Sequence, residues 1–122
     1  MTNLLLLALG GAIGTLCRYF FYSLQISNTG FQFSTLFVNL VGSFLIGLFA
    51  VIFINLNTPN SIRLFLTIGV LGGFTTFSSF SLENMFLLQN GKYLLALTNV
   101  LISTIFGILL AFLGFWLGKL FF

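Results

Sequence analysis

The residues best suited to chemistry form one run, residues 72–83, with the sequence Gly-Gly-Phe-Thr-Thr-Phe-Ser-Ser-Phe-Ser-Leu-Glu. Seven of these residues are glycine, serine or threonine, and they interrupt a stretch otherwise apolar enough to cross a membrane. An unpaired amide or carbonyl group in lipid costs several kcal/mol, so such a run is stable at membrane depth only where it is buried in protein or lines a hydrated path. The run therefore predicts a conduit or a binding site.

The composition places this run in an integral membrane protein. Of 122 residues, 59% are hydrophobic and 4% are charged, whereas a soluble domain carries roughly 25% charged residues. The four basic residues are isolated from one another, so we expect no nucleic-acid partner. With no histidine, one acidic residue and one cysteine, the chain offers no catalytic triad, disulfide or cysteine metal site, and we do not expect an enzyme.

Four apolar segments are each long enough to cross the hydrocarbon core, which takes about 20 residues. They are Leu4–Leu24, Thr35–Leu56, Ile62–Leu88 and Leu94–Phe121. Short linkers with turn-forming residues separate them, at Gln25–Ser34 (with Asn28-Thr29-Gly30), Asn57–Ser61 and Gln89–Lys92. Because the apolar segments are continuous and do not alternate, they favour helices over strands. We predict one all-α membrane domain over residues 1–122, with four transmembrane helices and a broken third helix.

The basic residues divide evenly between the two ends of this bundle. Four spans place Arg63 and Lys119 toward one side of the membrane and Arg18 and Lys92 toward the other. Orientation usually follows an excess of Lys and Arg in cytoplasmic loops, and that excess is missing. We therefore predict insertion in both orientations and an antiparallel homodimer with its twofold axis in the membrane plane. The alternative is one fixed orientation decided by something other than loop charge.

Small and polar residues recur at four-residue spacing on the first span. Gly10, Gly14 and Arg18 share one face of the predicted helix. We interpret the glycines as a packing surface for another helix. The charge of Arg18 either faces the protein interior or a wet cavity, or reaches the membrane interface, and the sequence favours neither.

Two further stripes of this kind lie on the second and fourth spans. They consist of Thr35, Asn39, Ser43 and Gly47, and of Asn99, Ser103, Gly107, Ala111, Gly114 and Gly118. The Asn39 amide could donate two hydrogen bonds to an anion, although spacing alone favours a hydrogen bond between neighbouring helices. Phe77 and Phe80 carry positive ring edges that can meet an anion without holding it tightly. Together these groups could form a narrow channel.

Three ordered motifs carry a resemblance to a known family. They are Gly10-Gly-Ala-Ile-Gly-Thr-Leu-Cys-Arg-Tyr19, Thr35-Leu-Phe-Val-Asn-Leu-Val-Gly-Ser-Phe44 and the run at residues 72–83. Over nearly its full length the chain resembles the Fluc (CrcB) fluoride channels of microorganisms. The resemblance implies a multi-pass protein of the cell membrane, a dual-topology homodimer with two antiparallel pores through which fluoride leaves the cytoplasm passively.

The resemblance also implies roles for individual residues. The fluoride pore would be lined by Asn39, Phe77, Phe80 and Ser103, with Thr76 and Ser79 in the hydroxyl-rich turn. A structural sodium ion at the dimer centre would be bound by backbone carbonyls of Gly72 and Thr75 from each subunit. Arg18 and Glu83 are candidates for structural or vestibule charges.

Three positions differ from the residues usual in that family. Ser34 stands in place of glycine, Ser79 in place of threonine and Asn99 in place of tyrosine. The first two changes preserve size or hydroxyl character. An amide at Asn99 would change the shape and hydration of the pore vestibule.

Two other functions fit the length and the number of spans. A small dual-topology multidrug transporter would need a carboxylate in its first span, but the one acidic residue here, Glu83, lies in the third. A structural subunit without transport would need no polar stripes. Rescue of a fluoride-sensitive bacterium from fluoride, but not from quaternary ammonium drugs, would select the channel.

Overall fold

The computed structural model describes residues 2–24 and 31–122, and every regular element within these ranges is a helix. Four helical segments are long and apolar enough to cross a membrane: Asn3–Ser23, Phe33–Asn55, Asn60–Gln89 and Tyr93–Phe121. The prediction of an all-α protein with four spans is confirmed. The predicted turn at Asn28-Thr29-Gly30 lies outside the described residues.

The helices follow one another with short connections. Three spans are single helices: α1 (Thr2–Ser23), α2 (Phe33–Asn55) and α6 (Tyr93–Phe121). The third span is composite, and its parts are α3 (Asn60–Leu64), a π-helix (Phe65–Leu71), α4 (Gly72–Phe74) and α5 (Phe77–Gln89). The third span therefore combines α-helical and π-helical segments with one break.

The break in the third span lies just before Phe77, as predicted, and takes up two residues of the run at 72–83. Thr75 and Thr76 leave the helix, with extended backbone at φ −84°, ψ 157° and at φ −154°, ψ 117°. The chain is helical again from Phe77 because the side-chain oxygen of Thr76 accepts a hydrogen bond from the N–H of Ser79, at 3.2 Å. Residues 72–83 thus contain a two-residue break followed by a capped helix.

A π-helix of seven residues, Phe65–Leu71, precedes the break, and the sequence did not predict it. Such helices are rare and are frequently found at functional sites. This one packs against the glycine face of α1. A Cβ atom on Gly10 would lie 2.7 Å from the carbonyl oxygen of Phe65, and one on Gly14 would lie 2.0 Å from that of Val70. The interpretation of these glycines as a packing surface is confirmed.

Helices α2 and α6 meet along a second line of small residues, which we call the glycine seam: Gly47, Ala111 and Gly114. A Cβ atom on Gly47 would lie 2.0 Å from the carbonyl oxygen of Ala111, and one on Gly114 would lie 2.1 Å from that of Phe44. The two backbones therefore touch, as small residues permit in a membrane. The parts of the two stripes that form the glycine seam are therefore closed by helix packing and cannot line a channel.

Candidate functional site

A groove of about 520 Å³, here called the central groove, lies beside the break. Its walls come from α2, the π-helix, α4, the break, α5 and α6. They carry one amide, two phenyl rings and six hydroxyl groups, from Asn39, from Phe77 and Phe80, and from Ser43, Thr67, Thr75, Thr76, Ser103 and Thr104. Among the residues that the structure describes, those lining this groove are all uncharged. The groove therefore offers hydrogen bonds without offering a tight ionic site.

The central groove brings together most of the residues singled out in the sequence. Seven of them line it: Asn39, Gly72, Thr75, Thr76, Phe77, Phe80 and Ser103. Arg18, Ser79 and Glu83 do not. Ser79 instead bonds the side chain of Thr76 through both its N–H and its hydroxyl, at 3.2 and 3.1 Å. It therefore holds the cap of α5 from outside the groove.

Asn39 bonds both backbone groups of Thr76. Its Oδ1 accepts from the Thr76 N–H at 2.8 Å, and its Nδ2 donates to the Thr76 carbonyl at 3.0 Å. The bond from the Thr76 N–H replaces the helical bond to Gly72 that the break removes. The interhelical hydrogen bond favoured by the spacing is thus present. An amide nitrogen carries two hydrogens, and the second N–H of Asn39 has no partner among the described residues.

The carbonyl groups of Gly72 and Thr75 lose their ordinary helical donors at the break. The N–H of Thr76, four residues after Gly72, bonds Asn39, and the N–H of Ser79, four residues after Thr75, bonds the Thr76 side chain. Both carbonyls are therefore released from the helical ladder while their residues line the central groove. Unwound backbone of this kind can bind a cation without any side-chain charge.

Arg18 turns toward the break. Its guanidinium is half-buried, and Nη1 donates a hydrogen bond of 3.3 Å to the carbonyl oxygen of Thr75, near the middle of the third span. Of the two interpretations of Arg18 that the sequence left open, the structure supports an interior contact. The guanidinium satisfies one of the two carbonyls that the break releases.

Glu83 is buried on α5 in a network that joins three helices. The hydroxyl of Thr35 on α2 donates a hydrogen bond to Oε1 of Glu83, and the hydroxyl of Tyr22 on α1 lies 2.8 Å from the oxygen of Thr35. Since a threonine hydroxyl has a single hydrogen, Tyr22 must be the donor to Thr35. Thr35 is 1% exposed. The geometry supports a structural position for Glu83, outside the central groove.

The two phenylalanines of the central groove lie next to each other. The ring centroids of Phe77 and Phe80 are 5.5 Å apart and the ring planes are tilted by 39°. Phe77 is 78% exposed, and Phe112 on α6 is 68% exposed without lining the groove. Exposure alone therefore does not separate a groove phenylalanine from one that faces lipid.

Two hydroxyl groups of the central groove, those of Thr67 and Thr104, were not singled out in the sequence. Thr67 belongs to the π-helix, which has no sequence signal of its own. Thr104 neighbours Ser103, and a strict four-residue stripe selects only one of the two. Asn99 is 3% exposed, does not line the groove, and accepts a hydrogen bond from Ser103 at 3.4 Å. Asn99 therefore supports the α6 wall of the central groove through its bond to Ser103.

Comparison with known proteins places this architecture in a family. The model of the family described as CrcB-like protein, Camphor Resistance (CrcB), matches residues 5–115. The fluoride-specific ion channel FluC of a Thermus thermophilus strain is 50% identical over 120 residues, which cover 97% of this chain and 96% of the relative. Proteins of the same name from Agrobacterium fabrum and Citrifermentans bemidjiense are 45% and 42% identical over 122 residues, with 98% of each chain covered.

These relatives are named as ion channels and not as enzymes, and they match a chain with four helices that can span a membrane. The family match extends over the glycine face of α1, the Asn39 stripe and the broken third span. The chain is therefore a multi-pass membrane protein that belongs to the CrcB-like family.

Proposed function

We propose that this chain is the subunit of a fluoride-specific channel through which fluoride leaves the cytoplasm passively. The central groove carries the proposal. Its amide, hydroxyl groups and phenyl edges can replace the hydration shell of a small anion, and in the described part of the chain no charged side chain lines it that would hold the ion there. The name shared by the relatives supports fluoride as that ion.

We propose that a second copy covers the central groove. Phe77 is 78% exposed and Gly72 is exposed, although both lie beside the break near the middle of the third span. Irregular backbone at that depth is not left facing lipid. An antiparallel copy, related by a twofold axis in the membrane plane, would cover the break, and the two equivalent grooves would give two pores.

The distribution of charge supports insertion in both orientations, with a slight bias. Arg18 bonds the break, so Lys92 is the basic residue left at its end of the bundle, opposite Arg63 and Lys119. Arg63 donates to the carbonyls of Phe53 and Thr58 at 2.7 and 2.9 Å, which fixes it beside the end of α2. The difference is one basic residue (2 − 1), a weak signal for the insertion machinery.

Adding three lysines at residues 57–61 should remove this balance and fix one orientation. Efflux should then disappear, and co-expression of an oppositely biased copy should restore it. Full activity of the fixed-orientation chain alone would contradict the antiparallel dimer.

We propose that a sodium ion joins the two breaks at the dimer centre. Its ligands would be the carbonyl oxygens of Gly72 and Thr75 from both copies, and the release of these oxygens from the helical ladder supports the assignment. A bound sodium ion would supply a positive charge to these neutral carbonyl oxygens. The hydrogen bond from Arg18 competes with it, because the guanidinium and the ion would share the oxygen of Thr75.

Purified protein in liposomes loaded with potassium fluoride tests the channel. A channel carries net charge, so a fluoride electrode should register efflux only after valinomycin gives potassium a way out. Liposomes loaded with potassium chloride should release almost no chloride under the same conditions. Empty liposomes are the control. Fluoride release that needs no valinomycin, or chloride release at the same rate, would contradict a fluoride-specific channel.

Removal of sodium tests the central ion separately. Protein purified and reconstituted with N-methylglucamine in place of sodium should conduct fluoride slowly. Equal sodium concentrations on both sides should restore the rate, because the proposed role is structural and needs no gradient. Unchanged efflux from protein verified to be sodium-free would overturn the sodium site and leave the channel proposal standing.

A further inference from the structure

The hydroxyl groups of the central groove differ in whether their hydrogen is already used. Three of them bond the carbonyl four residues earlier in their own helix, each at 2.8 Å: Ser43 to Asn39, Thr67 to Arg63 and Thr75 to Leu71. The hydroxyl of Thr76 donates to Ser79 at 3.1 Å. Any of these groups could bond an anion only by giving up a bond inside the protein.

The two hydroxyl groups on α6 are less engaged. Ser103 donates to Oδ1 of Asn99 over a long distance, 3.4 Å. Thr104 lines the groove, is exposed, and has no hydrogen-bond partner among the described residues. Its hydroxyl is therefore the groove hydroxyl that can donate without breaking an existing bond.

Another threonine on α6 shows that the unused hydroxyl hydrogen of Thr104 is not explained by the residue type alone. Thr98, which does not line the central groove, donates its hydrogen to the carbonyl of Leu94 at 2.7 Å. That bond is the usual way for a threonine in a membrane helix to satisfy its hydroxyl without an external partner. Thr104 makes no such bond to its own helix, which leaves its hydrogen available to what occupies the groove.

Near Thr104, the α6 wall of the central groove lies close to the α2 wall. A Cβ atom on Gly107, one turn further along α6, would lie 3.5 Å from the hydroxyl oxygen of Ser43 on α2. An ion passing this part of the groove is therefore within reach of both helices. Asn39 and Thr104 line the same groove, so an ion in it could be bonded from α2 by the remaining N–H of Asn39 and from α6 by the hydroxyl of Thr104.

We propose that Thr104 donates a hydrogen bond to fluoride in the central groove and is a specificity-determining residue on α6. The inference rests on the proposed fluoride channel. It assigns the donor on this helix to Thr104 in preference to Ser103, whose hydrogen is already directed to Asn99. Fluoride is a small anion and a strong acceptor, so loss of one charge-assisted donor should affect it more than a larger, weakly accepting anion such as chloride.

Thr104→Val tests the donor, because valine keeps the branched shape and lacks the hydroxyl. Valinomycin-triggered fluoride efflux should fall about tenfold, within the range expected for loss of a hydrogen bond to a charged group. Thr104→Ser should retain the wild-type rate. Thr98→Val is the matched control on the same helix and should also conduct like the wild type. Size-exclusion profile and thermal unfolding temperature should agree among all four proteins. Thr104→Ala, which also lacks the hydroxyl, replaces Thr104→Val if valine prevents folding.

The possible outcomes distinguish a failure of the proposed Thr104 donor from a failure of the proposed fluoride channel. No fluoride efflux from the wild type would defeat the channel and the inference together. Wild-type efflux with an equal rate in Thr104→Val would defeat the inference alone. Equal slowing in Thr104→Ser and Thr104→Val would show that shape matters and not the donor. Loss of the dimer in Thr104→Val and Thr104→Ala, but not in Thr104→Ser, would assign the hydroxyl to the partner subunit and also overturn the inference.

Discussion

The two halves of α2 face neighbours of different kinds. In its second half Gly47 touches the backbone of α6 along the glycine seam, and in its first half Asn39 and Ser43 face the central groove and the break. All three residues lie on one stripe with four-residue spacing. The backbone opposite makes the difference. A continuous helix has its own hydrogen bonds and can be approached closely, whereas a broken one needs side chains to complete its hydrogen bonds.

The difference shows what a stripe of small and polar residues means in a membrane helix. The stripe marks where another backbone comes close. It does not say whether that approach ends in a sealed contact or in an open site. The partner decides, through the continuity of its hydrogen bonds. Substitutions in the seam, in the groove and beside them test this distinction.

Alanine at the glycine seam should have the largest effect. A Cβ atom on Gly114 would lie 2.1 Å from the carbonyl oxygen of Phe44, so the two helices would have to separate. We expect Gly114→Ala to destabilise the protein by about 3 kcal/mol, near the upper end of usual overpacking costs. Thermal unfolding in detergent measures the effect. Gly107→Ala is the control, since its Cβ atom would meet only the Ser43 hydroxyl at 3.5 Å, and it should be neutral or slightly stabilising.

Asn39→Asp should remove conduction while leaving most of the fold. Aspartate can still accept from the N–H of Thr76, but it has no donor for the Thr76 carbonyl and none for an anion. Its negative charge would also repel fluoride. We expect liposome efflux to fall on the order of 100-fold, the effect of losing a strong charge-assisted donor.

The matched control for Asn39→Asp is Asn90→Asp at the exposed turn between α5 and α6. It should conduct normally. Wild-type efflux from folded Asn39→Asp protein would remove Asn39 from the conduction path and leave it only its bonds to the break.

Replacing the groove phenylalanines by isoleucine should reduce efflux by a smaller factor, about tenfold, because hydrophobic bulk remains and only the positive ring edge is lost. The change applies to Phe77 and Phe80 separately. Phe112→Ile, at a similarly exposed position outside the groove, should have no effect on the rate. Equal tolerance at all three positions, in protein shown to be folded, would mean that the rings only pack.

Thr35→Val should give the smallest effect, and it concerns stability. Thr35 donates to Glu83 and accepts from Tyr22, so valine leaves a buried carboxylate oxygen without its partner. We expect the free energy of unfolding, followed by thermal unfolding, to fall by about 1 kcal/mol. Tyr22→Phe should cost less, because it leaves the bond between Thr35 and Glu83 intact. The reverse order would show that Tyr22, and not Thr35, holds the network together.

The spans were predictable from sequence because length and hydrophobicity define a membrane helix almost completely. The predicted Thr35–Leu56 became Phe33–Asn55, and the predicted Leu94–Phe121 became Tyr93–Phe121. The break was located just before Phe77, but the polar run around it does not show where the helix resumes. Serine and threonine disfavour a helix interior, yet they stabilise a helix start, and only the position of the cap at Thr76 separates the two effects.

The site was predictable in part. Residue spacing identified Asn39, and composition the third-span run, as unusual, but the bonds between them depend on how two helices face each other. Nothing local to Phe65–Leu71 indicates a π-helix, since its apolar residues suit either helical geometry. The free hydroxyl of Thr104 could not be foreseen either, because it depends on a side-chain rotamer chosen by the tertiary surroundings.

The π-helix has a consequence for how this sequence can vary. Its wider turns rotate everything that follows relative to the course of an ordinary α-helix. The direction of the carbonyls of Gly72 and Thr75 therefore depends on how many residues Phe65–Leu71 contains more than on which residues they are. This segment should accept exchanges of one apolar residue for another where packing allows. A single insertion or deletion there would turn the break away from Asn39, even if every contact residue were kept.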